Sequence, residues 1–129
     1  MDISVLVLED SDSSWEEVEG KLNFAFGEIL GNAKLTRVSS PEQVRKAVKA
    51  SNLYFLDVCM KPGDETNRDG LKAIDYIRKQ FPRAYIIAMS SLEENRVFAQ
   101  KDNVPFWLKG DPVSLFKLLS EYKAAVALL

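Results

Sequence analysis

Apolar runs of strand length recur five times along the chain, at "ISVLVL" (3–8), "AKLTRV" (33–38), "LYFLDV" (53–58), "AYIIAM" (84–89) and "VPFWLK" (104–109). Between them apolar residues return every three or four positions, which lines them along one stripe of a helix. The first such segment, Ser13 to about Leu30, places Trp15, Val18, Leu22, Phe26, Ile29 and Leu30 on one stripe, and Ser13 or Ser14 can cap it. A second opens at "SSPEQVRKAVKA", with Ser40 as N-cap and Pro41 in the first helical position. The third runs from Asp69 to Phe81, with Leu71, Ile74 and Ile77 on one face and Pro82 beyond its end. A fourth, "SLEENRVFAQK" (91–101), is short and polar, and the fifth starts at Asp111 and Pro112 and continues to the C-terminus.

Strict alternation of strand and helix predicts parallel strands joined by crossover helices, because parallel neighbours cannot be linked by tight hairpins. The central runs are apolar almost throughout, as a sheet covered on both faces requires. The predicted class is therefore α/β, a doubly wound five-stranded parallel sheet with five helices. The flavodoxin-like order 2-1-3-4-5 is one of two common arrangements for it.

Length and composition narrow the picture. At 129 residues the chain suits one domain, spanning 1–129, and 47% hydrophobic with 28% charged residues is ordinary for a globular protein. No apolar run reaches membrane-spanning length, and Asp2 stands where a signal peptide would carry basic residues, so the expected location is the cytoplasm. A net charge of -2 with scattered lysines and arginines gives no footprint for nucleic acid. The single cysteine, Cys59, excludes an internal disulfide, and the absence of histidine removes the usual zinc sites and every Ser-His or Cys-His catalytic pair. Chemistry is left to carboxylates, hydroxyls, lysine and a hard metal ion.

Those groups collect at strand ends. Glu9 and Asp10 follow the first strand, Asp57 sits in the third, Ser90 and Ser91 end the fourth and Lys109 ends the fifth. In open α/β sheets ligands bind beyond the carboxyl ends, at the point where the winding reverses. With order 2-1-3-4-5, strands one and three are neighbours there, and Glu9, Asp10 and Asp57 converge. Such a carboxylate set suits Mg2+, with Mn2+ as the alternative, and a carboxylate beside that ion can act as nucleophile toward a phosphoryl group.

In this order and at this spacing, "VLVLED", "LYFLDVCM", "DGLKAIDYIR", "IIAMSS" and "FWLK" resemble the motifs of the response-regulator receiver domains of two-component signalling, over essentially all 129 residues. The resemblance implies that Asp57 is the phosphoacceptor and that Asp10, Asp57 and the backbone carbonyl of Cys59 ligate Mg2+, with Glu9 acting mainly through water. It makes Lys109 the cation that pairs with the phosphoryl group, Ser90 the hydroxyl that moves to bond it, and Phe106 the aromatic switch residue. The implied partners are a sensor histidine kinase or histidine phosphotransfer protein and a downstream protein target.

Two departures stand out. The family usually has proline after the lysine, in a cis peptide; Gly110 stands there, and the energetic cost of a cis bond without proline predicts a trans Lys109–Gly110 peptide. The connection "MKPGDETNR" (60–68) is longer than usual; its Pro-Gly and polar residues mark a solvated loop that could cover part of the cleft or select a kinase. Two positions bordering the path of hydrolytic water in the family are Cys59 and Leu92, a weak hydrogen-bonding group and none, which predicts slow self-dephosphorylation.

Plainer roles compete at several positions. Asp12 reads as a solvated turn or helix-cap residue, and Phe106 and Trp107, on opposite faces of one strand, read as core. Two other functions are compatible with parts of the sequence. One is a receiver-like interaction module that no longer accepts phosphate. The other is a small haloacid-dehalogenase-like phosphohydrolase, suggested by the D-x-D-x-S run from Asp10 to Ser14. The oligomeric state is open.

Overall fold

In a computed structural model of the chain, residues 3–47, 49–60, 64 and 66–127 are described. Five strands, β1 (Ile3–Leu8), β2 (Ala33–Val38), β3 (Leu53–Asp57), β4 (Tyr85–Ser90) and β5 (Phe106–Leu108), form one parallel sheet in the order β2-β1-β3-β4-β5. Five α-helices connect and flank them: α1 (Asp12–Ile29), α2 (Pro41–Arg45), α3 (Lys72–Gln80), α4 (Arg96–Lys101) and α5 (Pro112–Ala127). Short 3-10 turns at Asp69–Leu71 and Glu93–Asn95 lead into α3 and α4. This is the predicted doubly wound arrangement, with β1 and β3 adjacent at the reversal.

The strand pleat sorts side chains to two cores. Val5, Val7, Leu53, Phe55, Ile87, Met89 and Trp107 face α1 and α5, while Leu6, Leu8, Tyr54, Leu56, Ile86, Ala88 and Phe106 face α2, α3 and α4. Every residue of β3 is buried, as the middle strand of a sheet covered twice must be. By contrast β2 at the edge alternates half-buried and exposed positions. Trp107 is fully buried, and its indole Nε1 donates to the Asp111 carbonyl at 3.0 Å, so the core is tied to the residue that caps α5.

Boundaries depart from the apolar pattern where polar side chains begin an element. Ser11, rather than Ser13 or Ser14, caps α1; its hydroxyl accepts from the Ser14 amide at 3.3 Å. Asp12 and Ser13 fill the first turn without an apolar side chain to mark it. Trp15 and Ile29 are half-buried rather than fully buried. Ser40 and Pro41 start α2 as predicted, and Asp111 Oδ1 accepts from the Ser114 amide at 3.3 Å at the start of α5. Within β5 only 106–108 pair, and β4 extends one residue further, to Ser90. No helix among the described residues is long and apolar enough to cross a membrane.

Candidate functional site

The carboxyl ends of β1, β3, β4 and β5 open into a cleft of about 350 Å³ whose lining includes Glu9, Asp10, Asp57, Ser90 and Lys109. Backbone bonds hold its walls in register. Glu9 N–H donates to the Val38 carbonyl at 3.0 Å, Val58 N–H to Met89 at 2.9 Å, and Lys109 N–H to Ser90 at 2.8 Å. These bonds fix Glu9, Val58 and Lys109 at the ends of β1, β3 and β5.

Lys109 reaches back across the cleft. Its Nζ donates to Glu9 Oε2 at 2.6 Å, Asp57 Oδ2 at 2.9 Å and Ser14 Oγ at 3.3 Å, so all three ammonium protons have acceptors. Glu9 is 1% exposed and Asp57 4%. Burial pushes the Asp57 carboxyl up to about 7, the Glu9 charge adding to the rise and Lys109 opposing it. Burial acts to lower the Lys109 ammonium, but Asp57 and Glu9 outweigh it and the net shift is upward. Asp10, at the rim, is raised by partial burial and by Glu9 beside it.

One carboxylate oxygen from each of Glu9, Asp10 and Asp57 lies within 4.8 Å of the others. Three hard oxygen donors at that spacing, short of positive charge, fit a small divalent cation of the Mg2+ type. Glu9 carries a direct bond to Lys109 in addition to any contact through water, and its Oε1 accepts from the Ser11 amide at 3.3 Å.

Gly110 answers for the missing proline. All peptide bonds among the described residues are trans, Lys109–Gly110 included, and Gly110 adopts φ +94°, a backbone region that side chains disfavour. A Cβ there would meet only Lys21 Nζ at 4.0 Å, so conformation and not space calls for glycine. Gly70 is required by space: its Cβ would lie 1.6 Å from the Asp57 carbonyl oxygen.

Ser90 is buried, and its Oγ accepts from the Leu92 amide at 3.0 Å and from Asn95 Nδ2 at 2.8 Å. Phe106 is buried under the Arg96 guanidinium, 4.8 Å from the ring centre. Leu92 and Cys59 both line the cleft, and the Cys59 thiol donates to the Asp64 carbonyl at 3.2 Å. Of the long connection, 61–63 and 65 lie outside the described residues; Asp64 lines the cleft, and Asn67 Oδ1 staples the loop by accepting from the Met60 and Asp69 amides, each at 3.0 Å. Asp12 is not part of the cleft lining: its carboxylate is 95% exposed and pairs with Arg37 at 2.6 Å, and it shares with Asp10 only a separate surface depression beside Arg37, Ser39 and Gln43.

Several contributors escape a reading of the sequence. Arg37 Nε donates to the Glu9 carbonyl at 2.9 Å, clamping the acidic turn to β2. Ser14 and Asn95 contact Lys109 and Ser90. Only the glycine beside Asp69 carries a local signal, since a glycine opening a helix is otherwise unfavourable.

No protein-family model matches the chain, and no curated protein matches it. Solved structures do. The response regulator DrrB of Thermotoga maritima, an OmpR/PhoB homologue, superposes with a TM-score of 0.70 at 19% identity over 97% of this chain. This chain spans 54% of that protein. The response regulator TrrA of the same organism, in complex with Mg2+ and BeF, gives 0.73 at 18% identity, covering 93% of this chain and 98% of that one. The response regulatory domain of mrkE from Klebsiella pneumoniae gives 0.75 at 17% identity over 98% and 100% of the two chains. The chain thus has the fold of response-regulator receiver domains.

Proposed function

We propose that the protein is a phosphoacceptor signalling domain in which a phosphohistidine on a partner, a sensor histidine kinase or a phosphotransfer protein, donates its phosphoryl group to Asp57. The observation that carries this reading is Lys109 bound to Asp57 Oδ2 inside a cleft that also holds Glu9 and Asp10. An aspartate buried at a strand end and supplied with its own cation is arranged for a change of charge. In the transfer an Asp57 carboxylate oxygen bonds to phosphorus as the P–N bond to the donor imidazole breaks, leaving an acyl phosphate on Asp57.

Glu9, Asp10, Asp57 and the Cys59 carbonyl would hold Mg2+ or Mn2+, which when bound offsets charge on the phosphoryl oxygens. Lys109 pairs with the phosphoryl group, giving up Asp57 Oδ2 for a phosphoryl oxygen. Ser90 hydrogen-bonds the group from the other side, and Phe106 repacks as Ser90 moves. Cys59 and Leu92 offer little to orient a hydrolytic water, which makes the phosphorylated state long-lived. The output is made by protein contact through α4 and β5 in the cytoplasm, and the chain catalyses only its own phosphorylation and dephosphorylation.

Intact mass after incubation with a small-molecule phosphodonor tests this. One phosphoryl adduct that requires Mg2+ and is lost in Asp57→Asn supports it. An unmodified chain that also fails to bind beryllofluoride would place the function in protein contact without phosphate.

A further inference from the structure

Ser90 is gripped by the segment that follows it. With hydrogen bonds from the Leu92 amide and Asn95 Nδ2, both acceptor positions of its hydroxyl are committed toward the turn at Glu93–Asn95. Asn95 is 0% exposed. Its other amide atom, Oδ1, is buried with no hydrogen-bond partner among the described residues. A buried amide left half-satisfied is costly, and such a group in a folded protein calls for a reason. Among the described residues, Ser90 is the only side-chain partner that keeps Asn95 inside.

Asn95 also stands at a junction. The next residue, Arg96, opens α4, lies over Phe106 and pairs with Glu93 at 2.5 Å. One short turn therefore holds the strand-end hydroxyl through Asn95 and the β5 aromatic through Arg96.

We propose that Asn95 is a positioning residue that ties the Ser90 hydroxyl to the turn at 93–95 and so to helix α4. While Ser90 accepts its Nδ2, Asn95 stays inside with one unpartnered atom. Once Ser90 turns to a phosphoryl group on Asp57, Asn95 has neither amide atom satisfied, water becomes the better environment, and the turn is released. The trigger rests on the phosphoacceptor reading; the grip of Asn95 on Ser90 does not.

Amide hydrogen exchange over 93–101 in the full chain tests the two parts separately. Ser90→Ala removes the acceptor without any phosphoryl analogue, and exchange across 93–101 is expected to rise about tenfold, the equivalent of about 1.4 kcal/mol, while β1 and β3 keep their protection. Asn95→Leu keeps the branching at Cγ and removes both the bond and the orphan oxygen. With Mg2+ and beryllofluoride, whose binding is read by fluorine NMR, the parent is expected to speed exchange over 93–101 and Asn95→Leu to bind without that response. Unchanged exchange in Ser90→Ala, or an equal response in Asn95→Leu, overturns the inference. A parent that binds no beryllofluoride overturns the phosphoacceptor reading instead, and the Ser90→Ala result then decides the grip alone, as it does if Asn95→Leu does not fold.

Discussion

The Lys109 ammonium donates to Asp57 Oδ2 at 2.9 Å while committed to Glu9 Oε2 at 2.6 Å, so two buried carboxylates share one cation. With Asp10 at the rim, three acids face one lysine. Burial raises the Asp57 carboxyl, Lys109 opposes the rise and Glu9 adds to it, while the excess of acids over cations fits a divalent ion. Ionised together, these acids cost stability, and positive charge entering the site offsets that cost.

Removing Lys109 exposes what it neutralises. Lys109→Met leaves Glu9 and Asp57 buried without a counter-charge, and a loss of about 3–5 kcal/mol is expected at pH 8 in the absence of divalent ions. At pH 5, where Asp57 is protonated, the loss should shrink. Urea unfolding at the two pH values measures it; equal losses would mean that packing, not charge, is what Lys109 supplies.

Asp57 sets a second pH dependence. Its carboxyl titrates near 7 in the folded protein and at its ordinary value of 3.8 in the unfolded chain. Between those values the folded state holds the extra proton, so stability is highest at the acidic end of the window and falls as pH rises toward 7. Asp57→Asn abolishes this slope and should melt several degrees above the parent at pH 8, at about 4 °C per kcal/mol for a chain of this length. Parallel melting curves for the two proteins from pH 4.5 to 8 would contradict the assignment.

Divalent ion binding competes with that proton. Mg2+ affinity, followed by calorimetry or by the fluorescence of Trp15 near the acidic turn, should strengthen several-fold from pH 6 to pH 8, with protons released on binding. Chelation should lower the melting temperature back to the metal-free value. Affinity independent of pH would show that Asp57 is not among the ligands.

At Gly70 even one methyl group collides with the backbone of Asp57, its Cβ falling 1.6 Å from the carbonyl oxygen. Because that atom belongs to the buried strand β3 it cannot yield cheaply. Gly70→Ala should cost about 3 kcal/mol or more in chemical denaturation. An alanine variant as stable as the parent would mean that the 3-10 turn shifts freely.

The lifetime of a phosphorylated Asp57 reports on Cys59 and Leu92. Decay of the adduct over minutes or longer is expected in the parent, and Leu92→Glu or Cys59→Asn should change the rate by adding a group that can orient water. Decay within seconds in the parent would remove these side chains from the account.

The alternation of apolar runs was sufficient to predict five strands and five helices, because burial on both sheet faces leaves a continuous apolar signature in β1, β3 and β4. Helix starts built from polar side chains were less legible: Ser11, Ser13 and Ser14 are chemically equivalent caps until the chain geometry selects one. Asn95 gave no signal at all, since a polar residue in a polar segment looks solvated whether or not the fold encloses it.

The sequence by itself determined the elements and the placement of Glu9, Asp10, Asp57, Ser90 and Lys109 at strand ends, because side-chain periodicity and chain order are local properties. Only the tertiary structure decided which of these groups meet. Lys109 lies 100 positions from Glu9 and 52 from Asp57, and their contact follows from the lateral order that sets β1 against β3 and β4 against β5. Burial, and with it the charge state of Asp57 and the half-satisfied amide of Asn95, is likewise created when the layers close, since an environment without water exists only in the folded chain.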